Sequence, residues 1–184
     1  ALDGAERKMR AAQLMPLLRG LCSTENQMIG HFDDSDVVLE FVNSFDLDRL
    51  APLGTSCPDH FLRTKIQPLV LPLEQDENLE NTTALLEKLR PSFERYKKEY
   101  VNYYNSHKNE HSPAIRDASP VILLYPGVGL FSFAKNKQTA RVASEFYINA
   151  INVMRGAEAI STYTALPRQE MQVVLACVKL SRGS

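Results

Sequence analysis

Apolar positions recur along the chain at spacings that predict its elements. Residues 5–18 and 82–103 carry an apolar side chain every three or four positions, which is typical of a helix with one buried face. A further long helix is predicted over 137–159, where alanines on one side would allow close packing on a sheet. Short helices are predicted over 37–42 and 46–53. For 37–42, the valines favour a strand, but the acidic residues before the segment are typical of a helix N-terminus, so we predict a helix.

Runs of consecutive apolar residues predict the strands. Such runs cover 69–73 and 120–125, the last with the unbroken apolar character of a strand buried on both faces, and the more mixed segment 27–32 is a further short strand candidate. It is followed by Pro126-Gly127-Val128-Gly129 and a second apolar run at 130–133, which together predict a hairpin. The predicted fold class is therefore α/β, a mixed sheet with flanking helices, and we expect residues 1–184 to form a single domain.

Prolines leave some boundaries open. Pro16 is expected to bend or end the first helix, and Pro91 is expected to kink the 82–103 helix or to begin a second one, because proline lacks the amide proton that a helix interior uses. Residues 61–65 are predicted to form a short turn, and the polar stretch 106–119 a loop.

Charge and composition exclude several classes of partner. The 184 residues include 21 basic and 22 acidic side chains, so no basic excess favours nucleic acid or a membrane surface. No apolar run reaches the roughly 18 residues of a membrane span, and the first residues lack a secretion signal. Three scattered cysteines fit reduced thiols better than disulfides. We expect a soluble, cytoplasmic chain that has been cut from a longer protein, since it lacks an initial Met.

The densest polar cluster lies between Thr55 and Lys65. Arginine offers a bidentate fork and lysine a point charge, so the cluster could hold an anion, and a polar turn at the end of the first helix could join it. The alternative is a turn whose acid caps a helix and whose cations pair locally. A nucleophilic Cys57 with His60 as its base is less favoured, because nothing in the sequence activates the pair. The candidate anion-binding residues are Arg19, Ser56, His60, Arg63 and Lys65.

Metal and nucleotide motifs are incomplete. The chain has four histidines but no His-x-His pair, and His107 and His111 lie in a predicted loop without a third ligand nearby. Gly127-x-Gly129 lacks the third glycine of a dinucleotide fingerprint, since Ser132 stands there, and a strand rather than a helix is predicted next. We therefore predict no catalytic residue, no metal ligand and no cofactor for this chain.

Several long segments resemble the bifunctional rhamnulose-1-phosphate aldolase/alcohol dehydrogenase family of bacteria. The resemblance covers about residues 7–170, and its most specific segments are Cys-Pro-Asp-His-Phe-Leu-Arg-Thr-Lys at 57–65 and Pro-Gly-Val-Gly at 126–129. Members of that family join a class II aldolase/adducin domain to a short-chain dehydrogenase domain. The chain departs from the family after 166–170, where it ends without the usual Trp-rich helix.

The resemblance implies that the chain is the central segment of such a protein. Zinc and NAD would bind in the flanking aldolase and dehydrogenase domains of the same chain, which would be its partners. The predicted hairpin is similar to the last part of a class II aldolase, where a zinc-binding His would stand at Pro126. The resemblance thus implies a degenerate aldolase-like three-layer unit that is inactive by itself.

Three functions are consistent with these observations. The first is a scaffold between aldolase and dehydrogenase activities that cleave a deoxysugar (rhamnose-type) phosphate and convert the aldehyde released. The second is a regulatory domain that binds a sugar phosphate or another anion through the 55–65 cluster. The third is a structural oligomerisation module, motivated by the leucines and tyrosines that line the helix around 85–104.

Overall fold

The computed structural model describes residues 2–108, 110, 112 and 114–165, with Pro58 and Asp59 described by their backbone. Six helices and four strands follow one another in these ranges. The helices are α1 (Gly4–Cys22), α2 (Asp36–Val42), α3 (Leu47–Leu50), α4 (Pro58–Thr64), α5 (Thr82–His107) and α6 (Lys137–Ile160). The strands are β1 (Ile29–Asp33), β2 (Leu69–Val70), β3 (Ile122–Tyr125) and β4 (Gly129–Ala134).

The strands form one mixed sheet in the order β1-β4-β3-β2. β4 pairs antiparallel with both β1 and β3, while β2 pairs parallel with β3. β3 and β4 form the hairpin that the glycine-rich turn predicted. All four residues of β3 are buried, as its unbroken apolar run predicted. The α/β class and the mixed sheet with flanking helices are confirmed.

Alternate side chains of β3 enter two separate cores. Leu123 and Tyr125 pack with α1 and α5 on one face of the sheet, while Ile122 and Leu124 pack with α2, α3 and α6 on the other. Side chains of a strand alternate between faces, so a continuous apolar run places large residues in both cores. The result is three layers, helices on sheet on helices.

Local capping fixes where the long helices begin. Asp3 and Glu6 form a reciprocal capping box at the start of α1. The side chains of Asn81 and Asn136 accept amide protons from the first turns of α5 and α6, respectively. Each cap satisfies donors that the helix itself leaves free.

Both internal prolines are accommodated within longer helices than the sequence predicted. α1 continues past Pro16 to Cys22, and α5 runs through Pro91 as one helix to His107. A proline removes one backbone hydrogen bond, but buried side chains on both sides of it hold the helix against the core. These flanking residues are Leu14 and Leu18 in α1 and Leu89 and Phe93 in α5.

Residues 61–64 of the segment predicted as a turn at 61–65 belong instead to α4. This helix begins at Pro58, a residue that fits the first helical turn because its amide is not needed there. It ends where Lys65 adopts a positive φ of 63°. α4 packs on α6 and thereby positions His60 and Arg63 of the candidate cluster.

Candidate functional site

Lys65 is directed toward the 117–119 segment and α5. Its ammonium donates hydrogen bonds to the carbonyl oxygens of Asp117 and Ser119 and lies 4.3 Å from the centre of the Tyr100 ring. Burial lowers the pKa of Lys65 to about 8, against the opposing effect of the Asp117 carboxylate. Lys65 therefore ties the end of α4 to the 117–119 segment and to α5.

His60 and Arg63 share a partner on α6. The His60 ring is only 6% exposed and stands edge-on to Phe146, with ring centroids 5.1 Å apart. The Arg63 guanidinium carbon lies 5.8 Å from the centroid of the same ring, while the side chain remains exposed. The structure brings these two candidate residues together as part of the contact between α4 and α6.

Ser56 and Arg19 contact other parts of the chain. Burial raises the pKa of Tyr163, an effect that the nearby Ser56 side chain opposes, and the Tyr163 hydroxyl donates to the Gly54 carbonyl at 2.9 Å. Arg19, at the end of α1, donates from Nε to the Met28 carbonyl at 2.6 Å. Ser56 and Arg19 therefore lie beside different segments from those that contact Lys65 and His60. Anion binding by this set of five residues stays a prediction.

The β3–β4 turn is tightly packed. Gly127 has a φ of 80°, and a Cβ added there would lie 2.2 Å from the Gln75 side chain. Gly129 approaches Asp33 and Phe32 so closely that an added Cβ would lie 2.6 Å from a backbone oxygen. The Tyr125 hydroxyl donates to the Glu74 carbonyl at 2.8 Å and holds the 74–77 segment over the turn. Glycines are needed here because the chain leaves no room for a side chain.

This turn does not fit zinc or a dinucleotide. Proline has no side-chain donor, so Pro126 cannot ligate a metal at the position where the resemblance would place a histidine. Within the described ranges, no group of three or more His, Cys, Asp or Glu could hold a metal ion. A strand follows Gly129 directly, so the turn lacks the helix N-terminus that would face a pyrophosphate.

The two described cysteines are free thiols. Cys22 is buried, and burial strongly raises its pKa, while Cys57 is half-buried at the start of α4. Neither forms a disulfide. Cys177, His111 and the divergent end at 171–184 lie outside the described residues.

An open groove of about 740 Å³ separates α5 from the outer edge of β2, and we call it the β2 groove. Its lining is mixed, with tyrosines, short polar side chains and three charged residues beside the backbone of the 66–70 segment. The lining residues are Asp48, Ala51, Pro52, Ile66, Gln67, Pro68, Leu69, Val70, Ser92, Arg95, Tyr96, Glu99, Tyr100, Asn102, Tyr103, Ser106 and His107.

Sequence reasoning missed this groove although one signal was present. The stripe that begins with Leu85 and Leu89 on α5 changes to tyrosines after Phe93. The change marks where the helix face leaves the core and begins to face the groove. Only the position of β2 opposite α5 reveals that a cavity lies there.

Comparisons with known proteins assign the family. Residues 9–174 match the family described as aldolase class II, second domain. A protein of Bacillus subtilis (strain 168), named "Uncharacterized oxidoreductase YuxG", is 33% identical over 165 residues. That match covers 90% of this chain but 24% of the relative, so the chain spans about a quarter of the relative's length. No solved structure matches the chain significantly.

The three-layer α/β fold and the matched residues define a domain of the aldolase class. The chain belongs to the aldolase class II second-domain family. Within the described ranges, none of the helices is long and apolar enough to cross a membrane.

Proposed function

We propose that this chain is a non-catalytic scaffold domain of a longer, two-activity sugar-phosphate enzyme. The single observation that carries the proposal is the β3–β4 turn, where Pro126 stands at the position that the resemblance gives to a zinc-binding histidine and Gln75 packs over Gly127. Proline supplies no side-chain donor for a metal there, and the closely packed turn leaves no room for a side chain at Gly127 or Gly129. Membership of a second-domain family supports a role beside an aldolase centre that another domain supplies.

The finer form of the proposal is a bifunctional rhamnulose-1-phosphate aldolase/alcohol dehydrogenase in the cytoplasm. It rests on the sequence resemblance, and a long relative named as an oxidoreductase supports it. The flanking domains would bind zinc and NAD, cleave the ketose 1-phosphate and convert the resulting aldehyde. This segment would hold the two centres in a fixed arrangement.

Activity and metal content of the chain and of its parent protein test the proposal. The chain alone, incubated with zinc and L-rhamnulose 1-phosphate, should release no dihydroxyacetone phosphate above a protein-free control. It should also retain no stoichiometric zinc after dialysis, as measured by atomic absorption. Aldol cleavage by the chain alone would show that the scaffold role is wrong.

The parent protein serves as the matched control. It should retain zinc, cleave the same substrate and reduce NAD in the presence of lactaldehyde. A parent with neither activity would contradict the bifunctional assignment while leaving the family membership intact.

The structure removes part of the argument for an oligomerisation module. Leu85, Leu89, Phe93 and Tyr96 of the α5 stripe are buried in the chain's own core. Those side chains therefore make their apolar contacts within one chain. Assembly into a homo-oligomer remains a prediction, which light scattering of the parent protein would check.

A further inference from the structure

The face of α5 that borders the β2 groove differs in chemistry from the face that enters the core. Leu85, Leu89 and Phe93 pack against the sheet, whereas Tyr100, Tyr103 and their neighbours one turn apart line the groove. Tyrosine offers an apolar ring and a polar hydroxyl at a low cost in side-chain entropy, which suits contact with an amphipathic ligand. The groove wall thus combines aromatic surface with hydrogen-bonding groups.

The opposite wall is the outer edge of β2, which has no partner strand on that side within the described residues. Leu71 donates its amide proton to the Leu124 carbonyl at 2.8 Å, so the alternation of a parallel ladder turns the N–H and C=O of Val70 toward the groove. Pro68 and Pro72 flank this edge and have no amide proton to donate. An added peptide strand would find few partners on so short an edge, and a small ligand fits it better.

The charges of the groove disfavour a strongly anionic ligand. Arg95 is the cation that lines it, counting histidine as neutral, whereas Asp48 and Glu99 contribute two carboxylates. The lining therefore carries a net charge of about −1, which would repel a phosphate dianion. Its hydrogen-bonding groups instead match uncharged hydroxyls: Gln67, Ser92, Asn102 and Ser106 all line the groove.

We propose that the β2 groove binds an uncharged polyhydroxylated ligand of monosaccharide size. The tyrosine rings would pack on the C–H face of the sugar, and the amides, hydroxyls and carboxylates would bind its hydroxyls. The volume of about 740 Å³ falls within the range of small-molecule sites, roughly 300–1,000 Å³. This site goes beyond the scaffold role, which requires no ligand here.

Tyrosine fluorescence provides a direct binding assay. The chain has seven tyrosines and no tryptophan, and Tyr96, Tyr100 and Tyr103 line the groove. Titration with D-glucose, D-galactose and L-rhamnose should give a saturable change for at least one sugar, with a Kd of about 1 mM. The absence of saturation by all three sugars up to about 100 mM would overturn the proposal.

Two neighbouring tyrosines make a matched pair of variants. Tyr103→Ala removes a ring from the groove and should weaken binding about tenfold, as expected when a stacking ring is lost. Tyr103→Phe keeps the ring and should retain most of the affinity. Tyr104→Ala is the control, because Tyr104 lies beside Lys108 and does not line the groove. Equal losses in the two alanine variants would contradict the site.

Folding and charge need their own controls. If Tyr103→Ala lowers the melting temperature, Ser106→Phe would fill the groove from an exposed position and should give the same tenfold loss. Inorganic phosphate should not compete with the sugar. Competition by phosphate, or tighter binding of the 1-phosphate than of the free sugar, would overturn the proposal of an uncharged ligand. None of these outcomes depends on aldol cleavage, so this site and the scaffold role can fail separately.

Discussion

The β3–β4 turn and the β2 groove lie at two places on the same sheet and differ in how they are filled. At the turn, Gln75 and Phe32 occupy the space beside two glycines, and the strands on both sides are buried. At the groove, Tyr100 and Tyr103 of α5 border an open volume beside β2, while the Tyr96 hydroxyl donates to the Gln67 carbonyl at 2.8 Å. The turn is closely packed within the fold, whereas a ligand-sized space lies beside β2. Stability and ligand access should therefore depend on different residues.

The largest effect on stability is expected from truncating a large buried side chain of the β3–β4 hairpin. Phe131 is fully buried and packs against Phe32 with ring centroids 5.1 Å apart, so Phe131→Ala should lower the free energy of unfolding by about 3–5 kcal/mol. Urea unfolding followed by circular dichroism measures this. Phe45→Ala, at a fully exposed position, should change it by less than about 0.5 kcal/mol. Phe131→Leu keeps most of the volume and serves if the alanine variant does not fold.

Glycine substitutions at the turn should have the next largest effect. Gly129→Ala meets the Asp33 backbone and the Phe32 ring at a φ of 149°, so a loss of about 2–3 kcal/mol is expected. Gly156→Ala is the control, because Gly156 lies within α6 with open space around it. That variant should stabilise the protein by about 0.5–1 kcal/mol. A Gly129→Ala variant as stable as wild type would show that the turn is looser than described.

A smaller effect on stability, which depends on pH, is expected at Lys65, whose ammonium contacts the Tyr100 ring of the groove lining. The folded pKa of Lys65 is about 8, lower than in an unfolded chain, so the unfolded chain binds more protons above that pH. The free energy of unfolding of wild type should therefore rise relative to Lys65→Met by about 1 kcal/mol between pH 8 and about pH 9. Parallel pH profiles for the two proteins would contradict a buried Lys65 ammonium.

The smallest effect is expected in the groove itself. Arg95 is exposed and lines the groove, so Arg95→Ala should change the melting temperature by no more than a surface substitution does, within about 0.5 kcal/mol of stability. Differential scanning calorimetry checks this. A large loss of stability would mean that the groove is part of the folding core and would remove the contrast with the hairpin.

Most of the fold was predictable because it depends on local patterns. The unbroken apolar run at 120–125 and the glycines after it predicted the hairpin, and the three-to-four spacing predicted α1, α5 and α6. The differences lay at the alternatives that Pro16 and Pro91 left open and at 61–65, where packing against neighbouring elements decided the outcome. A sequence cannot show that Pro91 will be held inside a helix by Leu89 and Phe93, since both depend on the core that forms around them.

The candidate cluster shows the same limit for function. The sequence identified residues of suitable chemistry between Thr55 and Lys65, but their directions depend on distant segments. Lys65 bonds to carbonyls more than fifty residues away in the chain, and the Ser56 side chain lies near Tyr163. Anion binding by the five predicted residues therefore stays a prediction that neither residue type nor proximity along the chain can decide.

By itself, the sequence determined the α/β class, the hairpin and the absence of a metal ligand at Pro126, because these depend on residue type and local spacing. Tertiary structure alone decided that Gln75 fills the turn, that Lys65 points inward and that a groove opens between α5 and β2. Those features arise where segments far apart in sequence meet. The size of the space between two packed elements cannot be predicted from the sequence of either one.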